Sequence, residues 1–180
     1  MILCRKMVFI LLLTASTAHA GNKLAAPCLG KTPVAAAEKM FKSYRERMLT
    51  DPKQLRGLVT GGLMHALSME NQCRMGGELC AVEADPWTGT QDGTIQKPVS
   101  FRLLSNDQRS ASVAMHYTFA LDNSRKEKRV TTLLLERNQA QSCWQLADLL
   151  TPAGDSLREV IESSQKEDDD SPLPPPGFGR

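Results

Sequence analysis

Ser112-Val113-Ala114-Met115-His116-Tyr117-Thr118-Phe119 alternates large apolar residues with small or polar ones. That period of two belongs to a strand with one face in a core and one in water. Reading outward, the same alternation runs through Val99, Phe101 and Leu103, and Ser105-Asn106-Asp107 supplies the turn between the two segments. On the C-terminal side, the polar stretch from Asp122 to Lys126 leads into Val130–Leu135, and Asn138-Gln139 turns the chain into Cys143–Leu150. Strands joined by such short polar turns predict an antiparallel meander.

Upstream of Pro98 the period changes. Thr32-Pro33 supplies a cap hydroxyl followed by a proline at the first helical position. Val34, Ala37, Phe41, Tyr44 and Met48 then recur at helical spacing. Asp51-Pro52 repeats the start signal, with Gln54 at the position of a capping-box partner, and predicts a second helix through Leu55, Leu58 and Val59. The pair Gly61-Gly62 predicts a break, and Leu63, Ala66 and Leu67 a third helical piece ending near Cys73. Gly154-Asp155-Ser156 opens a short closing helix through Leu157, Val160 and Ile161. Helices followed by a run of strands imply an α+β domain, with the N-terminal helices packed on one face of the sheet.

Both ends differ in composition from this body. Arg5 and Lys6, the apolar run Met7–Leu13 and Ala18-His19-Ala20 have the three-part order of a cleavable secretory signal peptide over residues 1–20. The expected mature chain is an exported, periplasmic protein with no membrane span, comprising one domain over 21–165 and a disordered acidic and proline-rich tail over 166–180. The full chain has 22 Lys+Arg and 20 Asp+Glu. Loss of Arg5 and Lys6 leaves 20 of each, a balance that does not favour a nucleic-acid partner.

Cys28, Cys73, Cys80 and Cys143 remain after the leader, and an even number in an oxidising compartment reads as two disulfides. Four cysteines allow three pairings. A local Cys73–Cys80 bridge would close a short loop and leave Cys28 to join Cys143. A zinc site of Cys73, Cys80 and His65 is the rival reading, but the spacing matches no finger or ribbon, so no metal is expected.

The connection from Ala81 to Lys97 has no clear helical or strand period. Connections of that length in compact domains are often functional. It carries Asp85-Pro86-Trp87 and Gln91-Asp92-Gly93, so Asp85, Trp87, Gln91 and Asp92 are the candidate ligand- or partner-binding residues. A structural role fits them as well: Trp87 closing the open end of the core, with Asp85 and Asp92 capping turns. His116 is the one weak catalytic candidate, since a histidine on the polar strand face could work with a carboxylate as an acid–base pair. No nucleophile elbow, zinc-protease helix, phosphate loop or dinucleotide fingerprint is present, and no cofactor is expected.

Phe41-x-x-Tyr44 with Leu55 and Leu58, Asp85-Pro86 with Gln91-Asp92, and Trp144-x-Leu146-x-Asp148-Leu149 before Gly154-x-Ser156-Leu157-Arg158 together resemble an uncharacterised family of exported bacterial proteins. That family is a domain of unknown function with a cone-shaped, nuclear-transport-factor-two-like fold. The resemblance implies a curved sheet wrapped around the first helix, with a pocket at the open end. Folds of that shape host enzymes, ligand binders and immunity proteins alike. The leading expectation is a non-catalytic periplasmic binding protein for an unknown protein or small ligand, for instance an immunity or inhibitor protein against a cell-envelope enzyme. The alternative is a small pocket hydrolase or isomerase using His116.

Overall fold

The computed structural model describes residues 27–77, 79–140 and 142–169. The expected signal peptide and the proline-rich part of the tail lie outside them. Three helices, α1 (Pro33–Tyr44), α2 (Gly61–Gly76) and α3 (Leu157–Asp169), accompany four strands: β1 (Thr94–Asn106), β2 (Ser110–Ala120), β3 (Lys126–Asn138) and β4 (Cys143–Leu150). The strands form one antiparallel sheet in the order β1-β2-β3-β4. The fold is therefore α+β with a meander, as the period change at Pro98 implies.

Alternation decides the two faces of the sheet. Val113, Met115, Tyr117 and Phe119 of β2 are buried, and they share one core with Ala36, Ala37 and Met40 of α1, Leu63 and Leu67 of α2, and Leu157 and Ile161 of α3. His116 is exposed on the opposite face, with Ser100 of β1 and Val130 of β3 as its cross-strand neighbours. Phe41 of α1 links the helices to the loop region and the sheet at once. Its ring lies 5.4 Å from that of Trp87 and 6.0 Å from that of Phe101.

The segment after Asp51 differs from its expected form. Pro52–Leu55 makes only a 3-10 turn, and Gln54 bonds the Asp51 carboxylate instead of completing a capping box. Leu58 closes a turn and Val59 bridges to Leu146 instead of continuing a helix, because this segment runs beside β4. The Leu146 N–H donates to the Leu58 carbonyl at 3.0 Å, and the Thr60 N–H donates back to Leu146 at 2.9 Å. Gly61-Gly62 accordingly opens α2, with Thr60 as its N-cap, and does not end the preceding helix. Gly30 pairs with Trp144 further along, so two short segments cover the free edge of β4.

The first helix is also shorter than its apolar stripe, ending at Tyr44 before a 3-10 turn over Arg45–Arg47. At the other end, α3 runs to Asp169, past the composition break at Gln165. Its start is held by Asp148 at the end of β4, whose buried carboxylate accepts from the Ser156 hydroxyl and from the Arg158 N–H. This carboxylate satisfies donors that the first turn of a helix leaves open.

The cysteines pair as Cys28–Cys143 and Cys73–Cys80, with Cα–Cα distances of 5.7 and 5.9 Å. Among the described residues no cluster of metal-ligating side chains occurs, and His65 lies exposed on α2.

Candidate functional site

The long connection between α2 and β1 is fastened at two points. Glu70, buried on α2, accepts from the Val82 N–H at 3.3 Å and from the Arg74 Nε at 2.8 Å. Arg74 in turn donates to the Val82 carbonyl. Two side chains one helical turn apart thus satisfy both backbone polar groups of one loop residue, which would otherwise need a partner strand. The second point is Trp87-Thr88. The Trp87 carbonyl accepts from the Tyr117 hydroxyl at 2.9 Å and the Thr131 hydroxyl at 2.6 Å, and Arg129 donates to the Thr88 carbonyl at 2.8 Å.

Between these anchors the chain turns tightly. The Asp85 carboxylate accepts from the Trp87 N–H at 2.8 Å, and its carbonyl accepts from the N–H groups of Thr88 and Gly89. Trp87 is 1% exposed, so it closes the core beneath the loop as a structural plug. Burial pushes the Tyr117 phenol above its ordinary value. Gly93, at φ +101°, ends the connection against the Phe119 ring, where an added Cβ would approach the ring carbons to 2.2 Å. Only glycine satisfies both that backbone and that contact.

The four binding candidates share one side of the molecule but do not form one pocket. Asp85 and Trp87 border a groove of about 300 Å³ together with Arg45, Glu46, Arg74 and Glu83. Gln91 borders a neighbouring groove of about 330 Å³ with Arg74, Leu79 and Glu83. Asp92 is exposed beside them. Its carbonyl accepts from the Thr90 hydroxyl, while its carboxylate caps no turn among the described residues.

Glu83 is the residue that composition could not single out. It borders both of these grooves, and also a groove of about 600 Å³ between α2 and α3 and one of about 170 Å³ beside Thr151 and Asp155. It is exposed and makes no side-chain hydrogen bond or ion pair among the described residues. Next to it the Cys73–Cys80 bridge closes a loop that holds Leu79 at 94% exposure, with Met75 at 75% on the last turn of α2. The available signal was chemical: Met75 and Leu79 are apolar residues inside a disulfide loop too short and glycine-rich to bury them.

His116 joins none of these grooves. Ser100 and Val130 flank it, and no hydrogen bond or ion pair connects it to a carboxylate among the described residues. Among the described residues no carboxylate is bonded to it to form an acid–base pair.

Comparison with known protein families, with curated proteins and with solved structures finds no match to this chain. What fold and site define is a disulfide-braced α+β domain with an anchored surface loop. No helix among the described residues is long and apolar enough to cross a membrane.

Proposed function

We propose that this chain is an exported, periplasmic interaction protein that acts by binding and not by catalysis, and that its partner docks on the surface around Leu79 and Glu83. The observation that carries this reading is Leu79. An aliphatic side chain is held almost wholly in water, on a loop closed by a disulfide and anchored through Val82. An apolar group held out in this way costs little further ordering on binding, which is the property of an interface anchor. The grooves meeting at Glu83 provide a polar rim around it.

The signal-peptide pattern of residues 1–20 and the two disulfides support export to an oxidising compartment. Inhibition of, or immunity to, a cell-envelope enzyme is the concrete form of this activity. The gathering of three helices with one face of a meander also supports the cone-shaped, nuclear-transport-factor-two-like assignment.

The test is affinity capture from native periplasm with the oxidised chain as bait, bound proteins being identified by mass spectrometry. A stoichiometric protein retained by the parent chain and by V130D, but lost with L79D or M75D, is the expected result. Capture unaffected by L79D, M75D and E83K together would reject this surface.

A further inference from the structure

We propose that the solvent face of the sheet binds a linear acidic polysaccharide. The inference rests on a different face of the molecule from the Leu79 surface and stands without it.

The antiparallel register places Arg102 opposite Ala114, His116 between Ser100 and Val130, Lys128 opposite Thr118 and Lys126 opposite Ala120. All four basic side chains are exposed. Arg102, His116 and Lys128 step diagonally across three adjacent strands, a spacing of about 7–8 Å between neighbours. Lys126 continues the row along β3. None of the four makes a side-chain hydrogen bond or ion pair among the described residues. On this face the strand positions from Arg102 to Lys126 contain no carboxylate, and the first on β3 is Glu136, opposite Ser110. The carboxylates nearest in sequence are already engaged, Glu127 by Arg129 and Asp122 by Ser124 and Arg125. In a chain with 22 Lys+Arg against 20 Asp+Glu, this is a segregated basic stripe.

The shape of the surface narrows the ligand. Ala114 and Ala120 keep the face shallow, and no groove of the loop region reaches it. A small anion would gain only one or two exposed contacts, each weak alone. A chain bearing several anionic groups gains them together. The face carries no Phe, Tyr or Trp, and the single His116 imidazole is too small a platform for successive nucleic-acid bases to stack on. Its apolar content at the stripe is Val130, exposed opposite His116, with no Trp or Tyr of the kind that anchors protein interfaces. What it offers beside the cations is hydroxyls, from Ser100, Ser112, Thr118 and Thr132, which suit the oxygen-rich edge of a sugar chain.

Heparin serves as the probe, with the oxidised full chain. R102T/K128T removes two cations from the stripe, and K53S/R56S removes two exposed cations from elsewhere as a charge-matched control; equal urea midpoints establish that both variants are folded. The expected results are salt-sensitive heparin binding by the parent chain, a Kd raised about tenfold in R102T/K128T, and a change of less than about twofold in the control. Poly-L-glutamate at equal charge concentration should not displace heparin. Absence of binding by the parent, equal losses in both variants, or displacement by poly-L-glutamate would each overturn the proposal, the last by making the partner an acidic peptide.

Discussion

The Tyr117 hydroxyl, from the middle of β2, donates to the carbonyl of Trp87 at 2.9 Å, across 30 positions of sequence. Thr131 donates to the same oxygen from β3, so two adjacent strands grip one peptide group of the loop. This is why the connection sits as a fixed surface and not as a lid. Its central indole is packed edge-on against Phe41, and its backbone is bound from below by the sheet.

Removing one of these donors leaves the carbonyl satisfied by the other; removing both leaves it buried and bare. Y117F and T131V should each cost about 1 kcal/mol. The double variant should cost about 1 kcal/mol more than the sum, because only then is the full desolvation penalty exposed. Urea midpoints at constant slope measure all three. Strict additivity would show that the two hydroxyls do not share this acceptor in solution.

The same burial makes Tyr117 an alkaline sensor. Its folded pKa is raised above the ordinary value of about 10, chiefly by desolvation. The stability this confers is complete below about pH 10 and is lost as pH rises through the folded value. In Y44F, Tyr117 is the one remaining tyrosine. Its absorbance rise near 295 nm should therefore come above pH 10 and coincide with loss of near-ultraviolet circular dichroism. Ionisation at about pH 10 with the fold intact would refute this.

Two exposed turns set an acid limit of opposite sign. The Asp107 carboxyl is lowered to about 2, first by the Ser110 hydroxyl and then by the N–H groups of Ser110 and Arg109. Asp122 is held well below the carboxylate range by the Ser124 hydroxyl and then by Arg125. Depressed values mean that the unfolded chain takes up protons first. Their contribution is present above about pH 4 and fades as pH falls towards about 2. The melting temperature of D107N/D122N should consequently change less between pH 4 and 2 than that of the parent. Parallel curves would remove these turns from the acid response.

Local signals made the sheet legible. Strand period, turn residues and the Thr32-Pro33 cap are properties of neighbouring residues, and each element they predict is present. Leu58-Val59 misread as helix because its pairing with Leu146 lies far along the chain, and a non-local ladder overrides local periodicity. The binding candidates were partly legible for the same reason. Asp85-Pro86-Trp87 announced a turn with a buried ring, whereas Glu83 gains its position from Arg45, Arg74 and Ser164, which no spacing connects to it. The stripe of Arg102, His116 and Lys128 likewise exists only once the register is known.

The two disulfides should differ in what they stabilise. Cys28–Cys143 spans 115 positions and ties the segment before α1 to β4, where the Gly30–Trp144 pairing lies beside it. Cys73–Cys80 spans only 7 positions and closes the Leu79 loop. In the chain-entropy account, closing the long loop contributes about 4–5 kcal/mol and the short one about 2–3 kcal/mol. C28A/C143A should therefore lose far more stability to urea than C73A/C80A. The shorter bridge restrains the surface instead. Without it, Glu70 and Arg74 still hold Val82, so the domain stays folded while the Leu79 loop gains conformations that binding must remove. C73A/C80A should accordingly keep a cooperative transition and still show weakened partner capture. The opposite order of urea midpoints would mean that the long bridge joins segments already close in the unfolded chain, and that packing, not loop closure, sets its contribution.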